Sequence, residues 1–138
     1  FPRKSGRARL QAIPLPVLSS QRGPSLRLMT VRSEGQFNSV VYEETDLYRG
    51  QERRDVVLLH PNDMRKLGLK QDEVVTVKRN TGQLTRIHAR PFNVREGNAL
   101  MYYPEANALC PREVDPESRT PAFKNVSITV FPSGTIPC

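Results

Sequence analysis

The chain has no Trp, two Cys, two His and no long apolar run among its 138 residues. Each shortage excludes something. A closed zinc site needs four N or S ligands, and two cysteines with no partnering histidine cluster do not supply one. No iron–sulfur cysteine pattern is present. Aromatics make up 7% of residues, and Lys/Arg runs with interleaved aromatics are missing, so a stacking platform for single-stranded nucleic acid is not expected. No span approaches the roughly 20 apolar residues of a membrane helix. Arg3, Lys4, Arg7 and Arg9 lead into a Pro-broken stretch, not the apolar core of a signal peptide. The expectation is a soluble, cytoplasmic protein with reduced thiols and no membrane partner.

What is there fits one domain with a single real core. The net charge is +7 and the pI near 9.9. That excess suits a polyanionic partner (nucleic acid, an acidic protein face, or cofactor phosphates) or simply a solvated surface with a basic tail. The chain begins at Phe1, with no Met, and reads as the continuation of a longer polypeptide. Pro2, Pro14, Pro16 and Pro24 remove backbone donors, so residues 1–26 read as an extended arm and 27–138 as the folded domain.

Period-2 alternation marks strands at Leu26–Val31, Glu73–Lys78 and Val126–Val130, while Leu84–Ala89 reads as the hairpin partner of Glu73–Lys78 and Ala99–Tyr102 as a further strand. Val56–Leu59 is apolar throughout, as in a strand buried on both faces. Pro61 suits a helix start and Gly68 a helix end. Asn80–Gly82 is a hairpin turn. Glu43–Asp55 reads as a charged loop turning at Arg49–Gly50. Many short strands with one short helix suggest a small β-barrel.

Five segments in fixed order carry a more specific signal. They are Thr30–Arg32 with Gln36–Ser39, His60–Asp63 running into Leu67–Leu69, Tyr103–Asn107, and Thr120–Lys124. Together they resemble the C-terminal domain of molybdopterin oxidoreductases, close to the formate-dehydrogenase-like large subunits, over roughly residues 27 to 131. The resemblance implies a mainly β fold, a six-stranded double-psi β-barrel with one or two short helices. It also implies a bound molybdopterin guanine dinucleotide, with molybdenum or tungsten held by a ligand outside this chain. The partners implied are the remaining domains of the parent large subunit, and the domain alone is expected to be inactive.

Matching family positions place Thr30, Arg32 and Ser33 along the cofactor, with Gln36, Phe37, Asn38 and Ser39 in a loop approaching pterin or phosphate. Arg32 offers a forked cation, and Gly35 permits close backbone approach; alternatively Arg32 pairs with Glu34 or another carboxylate. Tyr103 and Asn107 belong to the most specific segment. The Asn107 amide offers both donor and acceptor to a guanine or pterin edge, or else serves as a turn residue. Phe123 and Lys124 match a late loop in which an aromatic covers pterin and a cation meets its oxygens, unless Phe123 is core packing after Pro121.

Nothing in the sequence brings Cys110 together with His60 or His88 as nucleophile and base, and both histidines read as structural. Other uses of the same barrel remain open: a protein-interaction module of the kind found in unfoldases, or nucleic-acid binding through the basic arm. A pyruvoyl-type decarboxylase of this shape is excluded, since it self-cleaves at a Gly-Ser bond and the chain has none.

Overall fold

The computed structural model describes residues 6, 8, 10–14, 25–36 and 43–134. The expectations for Phe37, Asn38 and Ser39, and for most of the arm, lie outside that set. Six strands, β1 (Leu26–Val31), β2 (Val56–Leu59), β3 (Val74–Arg79), β4 (Gly82–Pro91), β5 (Asn98–Tyr102) and β6 (Val126–Pro132), close into a barrel in the order β1-β5-β2-β4-β3-β6. The β1–β5 and β2–β4 pairs are parallel and the other four antiparallel. This is the six-stranded double-psi barrel that the resemblance implied. Closure leaves the six described strands with no free sheet edge.

β2 is buried along its whole length because its two faces meet two cores. Val57 and Leu59 enter the main barrel core with Leu28, Val75, Val77, Ile87, Met101 and Ile128. Val56 and Leu58 point the other way, into a smaller cluster with Val31, Leu100 and Tyr102. β5 divides likewise, with Ala99 and Met101 inward and Leu100 and Tyr102 outward.

The helix α1 (Pro61–Lys66) starts as its sequence suggests. His60 is the N-cap, its Nδ1 accepting from the Asn62 N–H at 3.0 Å, and Pro61 opens the first turn. Gly68 then takes φ of +68°. The Asp63 carboxylate accepts from the Gly97 N–H at 2.7 Å, tying α1 to the β4–β5 connection. His88 lies in β4 with Nδ1 3.1 Å from the Asp72 carbonyl oxygen.

β4 departs from simple alternation. Val75 pairs with Ile87 and Val77 with Leu84, so Thr76 faces two residues, Thr85 and Arg86. Arg86 takes φ of 57° at this bulge, which lets Leu84 and Ile87 share a face despite a spacing of three. A 3-10 turn, Glu105–Leu109, follows β5 and buries Ala106 and Leu109 in the main core. It docks so closely on β4 that a Cβ at Gly82 would stand 2.7 Å from the Ala108 carbonyl oxygen. No helix among the described residues is long and apolar enough to cross a membrane.

Candidate functional site

The C-terminal end of β1 lies between two loops. The Thr30 N–H donates to the Phe123 carbonyl at 3.1 Å, and the Tyr103 N–H donates to the Val31 carbonyl at 2.9 Å. Lys124 Nζ donates to the Thr30 carbonyl oxygen. These ties gather Thr30, Val31, Arg32, Tyr103, Phe123 and Lys124 around one cleft of about 280 Å³. Five of the residues anticipated from sequence thus meet in one place. The Arg32 guanidinium stands 5.8 Å from the centre of the Tyr103 ring, a cation–π arrangement at an exposed position.

A second cleft of about 550 Å³ adjoins, lined by Asn107 with Thr81, Cys110, Arg112, Pro121 and Phe123. Phe123 lines both clefts while packing against the barrel core, so wall and core packing are one role. Asn107 completes its turn with backbone atoms alone. Its N–H donates to the Pro104 carbonyl at 2.9 Å, and its carbonyl accepts from Cys110 N–H at 3.0 Å. The exposed side-chain amide is thus not needed for the turn. Burial pushes the Cys110 thiol up from its ordinary value, and Sγ donates to the Ala106 carbonyl at 3.7 Å; this is a packed thiol, not a nucleophile.

Ser33 and Gln36 sit behind the cleft. Both are buried, and both serve as acceptors for Arg54, from Nη1 to Ser33 Oγ at 2.8 Å and from Nη2 to Gln36 Oε1 at 3.2 Å. The close approach allowed at Gly35 is taken by the Glu43 carboxylate, 2.6 Å from where a Cβ would be.

Sequence reasoning missed Arg54. It is buried, forks onto Glu105 through Nε–Oε1 at 2.6 Å and Nη2–Oε2 at 3.1 Å, and also donates to the Tyr103 carbonyl at 2.6 Å. Its neighbour in space is Tyr102, whose ring centre is 5.1 Å from the guanidinium carbon. The Tyr102 hydroxyl donates to Asp46 Oδ2 at 2.8 Å, and Arg49 donates to the same oxygen at 2.5 Å and to the Arg32 carbonyl at 3.0 Å. No local signal pointed to it: Arg54 lies in a bend before β2, where the alternation of a strand does not reach.

Burial alone would lift the Asp46 carboxyl, but its hydrogen bonds from Arg49 and Tyr102 hold it below the usual carboxylate range. The paired Arg53 holds Asp55 low as well. Burial, then donation to Asp46, pushes the Tyr102 hydroxyl well up. The two carboxyls, with folded pKa values below their unfolded ones, stabilise the fold above about pH 4 and lose that contribution as pH falls through the folded values. The urea midpoint is expected to be flat from about pH 7 to 5 and to fall below about pH 4. Asp46→Asn should flatten part of that fall; a midpoint that rises on acidification would contradict the assignment.

A third recess, of about 490 Å³, is lined by Glu44, Glu52, Arg53, Arg54, Asp55 and Glu105. Arg53 and Arg54 are already paired with Asp55 and Glu105, leaving an excess of carboxylates that would repel phosphate. The two clefts that share Phe123 have the opposite character. They present three cations, Arg32, Lys124 and Arg112, against one carboxylate, Glu113, together with aromatic faces and a side-chain amide. Cations for phosphate, flat apolar walls for a heterocycle and an amide for its polar edge fit a phosphorylated heterocyclic ligand.

Fold and site thus define a closed β-barrel domain with a cationic, aromatic trough across its loops. Residues 26–127 match the family described as "Molydopterin dinucleotide binding domain", and the chain belongs to it. An uncharacterized oxidoreductase of Mycobacterium bovis is 34% identical over 144 residues, covering 96% of this chain and 18% of the relative. Protein YdeP of Escherichia coli K12 is 28% identical over 124 residues, covering 83% of this chain and 16% of YdeP. The chain therefore spans less than a fifth of the length of these relatives. Among solved structures, acetylene hydratase from Pelobacter acetylenicus superposes with a TM-score of 0.58 at 20% identity, over 78% of this chain and 18% of the hydratase. That likeness concerns the fold alone.

Proposed function

We propose that this domain binds and orients a molybdopterin guanine dinucleotide within a formate-dehydrogenase-like large subunit, a cytoplasmic molybdenum or tungsten oxidoreductase. The observation that carries the reading is the paired cleft. Arg32 and Tyr103 from one side, Phe123 and Lys124 from another, and Asn107 from the 3-10 turn converge there. Lys124 spends one of its three donors on the Thr30 carbonyl and keeps the others for a phosphate or pterin oxygen. Arg32 and Arg112 would neutralise phosphate, Phe123 and Tyr103 would cover the flat ring systems, and Asn107 would read a guanine or pterin edge.

When bound, the cofactor supplies two-electron redox chemistry at its metal, while the protein contributes orientation and electrostatics. The metal ligand and the substrate site fall to the remaining domains of the parent, and this domain alone performs no turnover. Asn107→Ala in the full-length protein is expected to lower co-purified guanine nucleotide and molybdenum together, about fivefold, with the barrel still folded by circular dichroism. Unchanged guanine and metal content in that variant would remove Asn107 from the site.

A further inference from the structure

We infer that Arg54 is the positioning residue of the cofactor cleft: it stands outside the lining and fixes from behind the two segments that carry Arg32 and Tyr103. The inference rests on the cofactor reading above. Arg54 does not line the Arg32–Tyr103–Lys124 cleft. Among the described residues it reaches three stretches of chain at once, through Ser33 and Gln36, the Glu43 carbonyl at 3.0 Å, and the Tyr103 carbonyl with Glu105. The first segment continues from Arg32, and the last carries Tyr103 and opens the turn that holds Asn107.

Stability alone does not explain a guanidinium here. A buried ion pair loses in desolvation much of what it gains in attraction, and an apolar side chain of equal volume often does as well. The apolar alternative lacks a rigid planar fork that satisfies acceptors in several directions at set angles. Four of its acceptors lie on segments flanking the cleft: Ser33 and Gln36, just after Arg32, and the Tyr103 carbonyl and Glu105, just before Asn107. The Tyr103 carbonyl is pinned from behind while its ring faces Arg32. The Arg32 backbone is tied into the same assembly. Tyr102 packs under Arg54 and anchors Asp46, and Arg49 bridges Asp46 to the Arg32 carbonyl.

The test compares Arg54→Lys, Glu105→Gln, Arg53→Lys and Leu28→Ala in the full-length protein, reading pterin retained during dialysis by fluorescence after oxidation. Lysine keeps the charge and loses the fork. Glu105→Gln perturbs the same fork at a partly exposed partner, a gentler change should Arg54→Lys not fold. Both are expected to release pterin about tenfold faster than wild type. Arg53→Lys, whose side chain pairs with Asp55, should release it at the wild-type rate. Leu28→Ala, which destabilises the barrel from within, should do so too under native conditions. Wild-type retention in both Arg54→Lys and Glu105→Gln would overturn the inference. So would equally fast release from Leu28→Ala, because pterin loss would then follow stability and not the fork. Absence of pterin from the wild-type protein would overturn the cofactor reading itself, and the inference with it.

Discussion

Leu28→Ala is expected to lower folding stability by about 3 kcal/mol, with the urea midpoint falling at unchanged slope. Leu28 is fully buried at the centre of β1, between Ala99 on β5 and Val126 on β6. Neither small neighbour has side-chain length to fill the void, so the cost combines lost burial with a retained cavity. Against a typical total of about 5–15 kcal/mol, that is a large fraction of what holds a domain folded. A loss below about 1 kcal/mol would show that the barrel collapses around the site and that its interior is less tightly packed than the contacts indicate.

Reversing the charge at both Arg32 and Lys124 should have the largest effect on ligand retention. Both side chains are exposed, so the barrel tolerates Arg32→Glu with Lys124→Glu. In the proposed site each cation meets phosphate or pterin oxygens, and a charge-assisted hydrogen bond contributes about 1.5–3 kcal/mol. Replacing two such donors by carboxylates exchanges attraction for repulsion. Dinucleotide content of the full-length variant is expected to drop at least about 100-fold, below detection in a desalted sample. The same protein should keep its far-ultraviolet dichroism. Retention near the wild-type level would mean that the ligand lies elsewhere.

Local patterns in the sequence carried over well. The all-apolar Val56–Leu59 run became a strand buried on both faces, and the alternation at Val126, Ile128 and Val130 became β6. His60-Pro61 opened a helix and Gly68 closed one, because capping and positive φ are decided by a few neighbouring atoms. The bulge at Arg86 was half visible: Leu84 and Ile87 are three apart, which breaks a period of two unless an extra residue intervenes.

Long-range electrostatics were not visible. Arg54 sits in Gln51-Glu52-Arg53-Arg54-Asp55, which has the look of a solvated charged loop, and its carboxylate partner Glu105 is 51 residues away. Only the barrel's closure brings the two together. The same closure decides which family-matched residues face the trough. Thr30, Arg32, Tyr103, Phe123 and Lys124 share one cleft and Asn107 the next, whereas the side chains of Ser33 and Gln36 serve Arg54. Strand parity near Arg32 could not settle that, because the chain leaves β1 at Val31 and enters an irregular loop.

Whether the paired cleft holds a molybdopterin dinucleotide is read by purifying the full-length protein, oxidising and extracting it, and quantifying pterin fluorescence and released guanine nucleotide per polypeptide. Both are expected together at near-stoichiometric levels, lost in parallel on Arg32 and Lys124 reversal. A folded protein that yields neither pterin nor guanine nucleotide would contradict the proposed binding.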